Sequence, residues 1–169
     1  MDKAAILINE LEKAGHRTFI VGGAVRNQLL GIPQKDIDLV TLGRPEDVCR
    51  VADKNNWKTI QVGRQFGIVV VIIEGKAFEV ASARRESYGQ DSHRPRDVSF
   101  VSDIKEDLAR RDFTINAMAL DSSGKLIDPF GGQRDLEKRI IRAVGDPVRR
   151  FSEDGLRPFR AVRFAAQLG

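Results

Sequence analysis

The chain has 169 residues with 28 Lys and Arg against 24 Asp and Glu, a formal charge of +4, and 41% hydrophobic residues. That composition describes one ordinary domain large enough to bury its own core. A lone cysteine, Cys49, excludes an internal disulfide and points to a reducing, cytoplasmic setting. No apolar run approaches the roughly 20 residues of a membrane helix, and Met1-Asp2-Lys3 leads into no secretory stretch, so membrane and exported classes are not expected.

In chain order, Ala5, Ile6, Leu7, Ile8 and Leu11 recur at helical spacing and predict a helix from Lys3 to Ala14, stopped by Gly15. A strand over Thr18 to Val21 is broken by Gly22-Gly23, and a short helix follows from Ala24 to Leu30. Lys35 to Thr41 alternates apolar and acidic residues, the period of a half-buried strand. Pro45 opens a helix to about Asn55. Strands are expected at Thr59 to Val62 and Gly67 to Ile73, with a hairpin at Glu74-Gly75 into Ala77 to Ala81. Arg84 to Arg96, poor in apolar residues, reads as a long mobile loop, of a length that is often functional or disordered. A helix is expected from Ile104 to Leu120, a short strand at Leu126-Ile127, a helix after Gly131-Gly132, a strand at Ile140 to Val144, and a final helix from about Ser152. The order describes an α+β chain, a mixed sheet with helices, carrying a helical C-terminal extension.

Positive charge gathers at the C-terminal end, where Gln133 to Gly169 holds nine basic and five acidic residues. Nineteen of the 28 cations are arginine, whose planar fork suits phosphate and base edges, so a nucleotide or nucleic acid is a reasonable partner. A solvated surface of ordinary charge is the alternative.

Asp36 and Asp38, two apart on the expected strand, would leave one face with Cα atoms roughly 6.6 Å apart. Paired aspartates supply the hard oxygens of a two-metal phosphoryl-transfer site, although surface strands also carry such pairs. Just upstream, Phe19-Ile-Val-Gly-Gly-Ala-Val-Arg26 reads as strand, double glycine and helix start, an arrangement able to cradle a triphosphate or simply to turn the chain. It lacks the spacing of a dinucleotide fingerprint and of Walker A. Glu79, on the opposite face from Phe78 and Val80, is a candidate third carboxylate or an exposed strand residue. Asp154, Arg157 and Arg160, three apart on one helix, would span roughly a 120° arc, offering an acceptor and donors to a base edge, or forming a surface ion pair.

The Gly-Gly-Ala-Val-Arg segment, the Asp36-Ile-Asp38 pair, Arg110-Arg-Asp-Phe-Thr-Ile-Asn-Ala117 and Glu153-Asp-Gly-Leu-Arg157, running on to Arg160 and Arg163, resemble in residues and order the bacterial-type (class II) tRNA nucleotidyltransferases, the CCA-adding enzymes, and their poly(A) polymerase relatives. The resemblance implies a DNA polymerase beta-like nucleotidyltransferase head over residues 1–137, with a small mixed sheet flanked by helices, and the start of a helical neck over 138–169. It also implies addition of C, C and A from CTP and ATP to the 3′ end of tRNA without a nucleic-acid template. Asp36 and Asp38 would hold Mg²⁺, with Glu79 at the third acidic position. Gly22, Gly23 and Arg26 would contact the triphosphate. Arg111 and Asp112 would hold the nucleotide and test its ribose, and Asp154 and Arg157 would read the base edge. Arg160 and Arg163 would contact the nucleotide from the same helix.

The Arg84 to Arg96 loop matches a segment linked to the switch from C to A addition, and Asn116 is either an orienting residue or a buried tie between helices. Asn27 stands where the family usually has aspartate, and Gly155 and Pro158 are unusual inside a helix. The family continues for several helical domains beyond Gly169, so a fragment is expected, with Phe159 and Phe164 left exposed. A-only, CC-only and poly(A) addition keep the chemistry and change the product, whereas an inactive nucleotide- or RNA-binding module is a reading of another class. The sequence leaves the oligomeric state open.

Overall fold

Helix α1 (Lys3–Lys13) buries the stripe Ala4, Leu7, Ile8 and Leu11 that its periodicity marks out. Strand β1 (Thr18–Val21) runs into α2 (Gly23–Leu29), and β2 (Asp38–Thr41) is followed by α3 (Pro45–Lys54), with proline in its first turn. Strands β3 (Lys58–Val62), β4 (Ile68–Ile73) and β5 (Lys76–Ser82) come next, then β6 (Arg84–Ser87) and β7 (Asp97–Phe100). The rest comprises α4 (Ile104–Ala109), β8 (Ala119–Leu120), β9 (Leu126–Ile127), α5 (Gly132–Glu137), α6 (Pro147–Glu153) and α7 (Arg157–Leu168). These elements come from a computed structural model that describes residues 3–34, 36–62, 67–87 and 97–169.

Among the described residues seven strands form one mixed sheet in the order β3-β4-β5-β2-β1-β8-β9, in which β2 and β5 pair in parallel. Leu39 faces Val80 in that register, so Asp38 and Glu79, one residue earlier on each strand, are neighbours across it. On one face, α1 and α3 cover Leu39, Val69, Val71, Phe78 and Val80. Each such side chain taken fully out of water stabilises the fold by about 1.5–3 kcal/mol. On the other face, Phe19, Val21 and Val40 pack against Ile104 and Leu108 of α4. That second face also carries Asp38 and Glu79, because side chains alternate along a strand.

Several expectations are corrected. Strand β2 begins at Asp38, so Asp36 lies two residues before the strand, and Lys35 lies outside the described residues. The helix expected from Ile104 to Leu120 stops at Ala109: the Asp112 carboxylate accepts from Phe113 N (2.8 Å), Phe113 is extended, and Thr114–Asn116 form a 3-10 turn before β8. Residues 84–87 of the expected loop are strand β6, zipped to β7, while 88–96 lie outside the described residues. The strand expected at Ile140 to Val144 is reduced to one bridge, Phe113 with Ala143.

The final helix is two helices, α6 and α7, because Asp154 adopts φ −154°, ψ 109° and turns the chain at Asp154-Gly155-Leu156. Pro158 then falls in the first turn of α7, where its missing N–H costs nothing. Phe159 is exposed as expected, but Phe164 is buried with Phe113, Ile115 and Leu136, so packing is continuous across residue 137.

A candidate nucleotide-binding cleft

Gly22 links β1 to α2 at φ 66°, ψ −130°, a left-handed conformation that favours glycine. A Cβ there would come within 3.0 Å of Arg111 Nη1, so the glycine also lets that guanidinium lie over the turn. Arg26, one turn into α2, is clamped on two sides. Its Nε and Nη2 donate to Asn27 Oδ1 (3.3 and 3.0 Å), and its Nη1 donates to Asn116 Oδ1 (2.6 Å). Asn27 therefore orients Arg26 through its amide oxygen. Burial is the main influence lowering the Arg26 pKa from its ordinary value, opposed by the charge of Asp112.

Asn116 continues the chain of contacts, donating from Nδ2 to Asp112 Oδ1 (3.1 Å), while Arg160 Nε donates to Asp112 Oδ2 (2.8 Å). Both oxygens of this nearly buried carboxylate are thus engaged. Phe164 lies beneath the cluster, its ring centroid 5.1 Å from the guanidinium carbons of Arg26 and Arg163 and 5.5 Å from that of Arg160. Such cation–π contacts hold arginines in place while leaving their edges available.

These groups open on a cleft of about 770 Å³ that ten of the expected residues line: Gly22, Gly23, Arg26, Asp38, Arg111, Asp112, Asp154, Arg157, Arg160 and Arg163. Among the described residues, seven arginines against four carboxylates line it, which makes it an anion site. Glu79 lines a smaller adjoining cavity of about 150 Å³ together with Asp38, Arg84, Arg110 and Arg111, and Asp36 borders neither space. Among the described residues no three His, Cys, Asp or Glu side chains converge as a ready metal cage. Asp38 and Glu79 nevertheless offer exposed hard oxygens from adjacent strands. That donor set suits Mg²⁺, which takes one or two carboxylates and completes its shell with water and substrate phosphate.

The expected pairing of Asp154 and Arg157 on one helical face is not what forms. Asp154 is extended and caps the turn, accepting from Leu156 N (2.9 Å), while Arg157 begins α7 and is buried. Arg157 Nη1 donates to Glu153 Oε2 and to Arg150 O, each at 2.8 Å. Both residues still reach the cleft, brought there by the bend between helices.

Sequence reasoning left Glu86 in a loop, yet its carboxylate joins Arg84 (2.8 Å) to Arg110 (3.0 Å) at the cleft wall. It passed over Glu153 although its spacing to Arg150 and Arg157, three and four residues, is visible in the chain. Asp107, wholly buried, pairs with Arg110 (2.7 Å) and Arg111 (3.2 Å). Burial alone would raise its pKa, but Arg110, then Arg111, and hydrogen bonds from Arg110 and Arg84 N hold it below the ordinary value.

A sheet of this order with helices on both faces, and a cleft at the β1 turn, is a nucleotidyltransferase head. The chain belongs to the family of the poly A polymerase head domain, which it matches over residues 18–142. It is 49% identical over 163 residues to the CCA-adding enzyme of Geobacillus thermodenitrificans, covering 96% of this chain and 39% of that protein. The CCA-adding enzyme of Geobacillus sp. (strain WCH70) is 50% identical over 167 residues, covering 99% of this chain and 40% of that one. Among solved structures, the Bacillus stearothermophilus CCA-adding enzyme in complex with CTP superposes with a TM-score of 0.85 at 46% identity, over 96% of this chain and 38% of that one. The Thermotoga maritima CCA-adding enzyme complexed with tRNA gives 0.75 at 32% identity, over 95% and 36%. The chain thus spans about two fifths of the length of the curated relatives it matches.

Proposed function

We propose that this chain, with residues 1–137 as the head and 138–169 as the first helices of a neck, binds CTP and ATP and transfers their nucleotidyl groups to the 3′ end of tRNA, completing CCA. The observation carrying this reading is the convergence of the Gly22-Gly23 turn, Asp38 of β2 and the α6–α7 bend on one arginine-lined cleft. The buried Nε of Arg111, which has no acceptor among the described residues, adds a donor beside that turn for an incoming anion to satisfy.

In this reading Gly22, Gly23, Arg26 and Arg111 hold the triphosphate, and Asp112 meets the ribose. Asp154 accepts from the base amino group while Arg157 donates to a ring acceptor beside it, a pattern shared by cytosine and adenine. Asp36, Asp38 and Glu79 would hold Mg²⁺, which when bound neutralises phosphate charge and makes a coordinated hydroxyl more acidic. The tRNA 3′-hydroxyl attacks the α-phosphate and pyrophosphate leaves. The protein's share is to align donor and acceptor and to offer fixed positive charge. Among the described residues no helix is long and apolar enough to cross a membrane, and tRNA processing fits a cytoplasmic setting.

The test pairs calorimetric titration of CTP, ATP, UTP and GTP with incorporation of labelled CTP and ATP into tRNA lacking its 3′ end. The expected result is binding of CTP and ATP above UTP and GTP, slow addition of both nucleotides, and loss of addition in Asp38→Ala. Asp38 is exposed, so its removal should leave stability within about 0.5 kcal/mol. Near-normal addition by Asp38→Ala, or no triphosphate binding by the unmodified chain, overturns the proposal. Incorporation of ATP alone would shift the product to A-only or poly(A) addition.

A further inference from the structure

Arg150 does not border the cleft, yet its side chain, 12% exposed, makes contacts that join the two parts of the cleft wall. Helix α4 ends at Ala109, leaving carbonyls without intrahelical donors immediately before Arg111 and Asp112. Arg150 supplies those donors from α6: Nη2 to Ala109 O (2.8 Å) and Nη1 to Arg110 O (3.2 Å), with Nε donating to Val144 O (3.1 Å). Nη1 also donates to Glu153 Oε2 (2.7 Å), the same oxygen that receives Arg157 Nη1 (2.8 Å). Arg157 closes the ring, donating from Nη1 to Arg150 O (2.8 Å) and from Nη2 to Arg110 O (3.4 Å).

One planar guanidinium therefore ties three backbone carbonyls and a shared carboxylate. No lysine point charge can span them, because it lacks the fixed fork. Arg110 O, one residue before Arg111, is held by both Arg150 and Arg157. The spacing between the residues facing the triphosphate and ribose and those facing the base is thus set at the buried back of the wall.

We infer that Arg150 is a positioning residue for nucleotide selection, holding Arg157 in register with Arg111 and Asp112 without touching the nucleotide. The inference rests on the proposed base-reading role of Arg157. Loss of Arg150 should blur the choice of base while leaving the Gly22-Gly23 turn and Arg26, which it does not contact, competent for phosphate.

The test uses Arg150→Lys in the same chain, titrated calorimetrically with CTP, UTP, ATP, GTP and inorganic tripolyphosphate in the presence of Mg²⁺, with folding followed by thermal melting. The expected result is tripolyphosphate affinity within about threefold of the unmodified chain, with the CTP-over-UTP and ATP-over-GTP preferences reduced about fivefold or more, the lower end of what one good edge contact provides. If Arg150→Lys does not fold, Arg150→Met, which leaves Glu153 paired with Arg149 and Arg157, carries the same expectation. Preferences retained in the variant overturn the inference. So does a proportional loss for all five ligands, the mark of a merely structural residue. An unmodified chain with no base preference overturns the base-reading role itself, and the inference with it.

Discussion

Asp107 is the residue on which the arginines behind the cleft depend. With no exposure and bonds from Arg110, Arg111 and the Arg84 amide, its carboxylate is stabilised in the folded state. A lowered folded pKa means that this contribution is fully present above the unfolded value near 3.8 and is lost as pH falls through the lower folded value. Asp107→Asn keeps the shape and removes the charge, leaving two guanidinium groups poorly balanced at a buried site. The expected cost at neutral pH is about 3–5 kcal/mol, the range for breaking a buried ion pair. The gap between variant and parent should narrow as the pH falls below the unfolded value and through the lower folded one, where the parent loses this stabilisation. Urea unfolding of both proteins across this range measures it, and a gap independent of pH would mean that the carboxylate charge is not what matters.

Among the elements, the strands and the amphipathic helices α1 and α3 were legible because their burial follows a simple period, two for β4 and three to four for α1. The stretch from Asp112 to Met118 was not. Its apolar residues, Phe113, Ile115, Ala117 and Met118, are buried in three different clusters, so no periodicity marks where helix gives way to turn. What ends the helix is side-chain chemistry, the Asp112 carboxylate capturing Phe113 N and Asn116 Nδ2. The motif order located most of the cleft residues, but the bend at Asp154 could not be read from helical spacing, and neither could the placing of Asp36 before β2.

Gly132 is dictated by close packing: a Cβ there would run into Thr114 O, so α5 can sit against the Thr114–Asn116 turn only without a side chain. Gly132→Ala should therefore cost about 1–3 kcal/mol, by forcing backbone apart rather than through helix propensity, which would favour alanine. Thermal melting decides between the two signs. A raised Tm would show that the turn can yield freely.

For the whole molecule, β1 sits between a near neighbour and a distant one, pairing with β2 on one side and β8 on the other. Arg26 follows the same plan, since Asn116 lies 90 residues further along and Phe164 further still. Such long-range closures are made late in folding, because the loop they close costs entropy before the contacts repay it. Asn116→Ala should accordingly leave the refolding rate almost unchanged and raise the unfolding rate about tenfold, the partition expected of a contact absent from the transition state. Stopped-flow refolding and unfolding in urea would measure both arms, and a slowed refolding arm would place Asn116 in the folding nucleus instead. On a ribosome supplying about 5–20 residues each second, the strands carrying Asp38 and Glu79 would emerge seconds before Asn116, Arg160 and Phe164. A nascent chain would thus possess its acidic strands well before it possesses a nucleotide pocket.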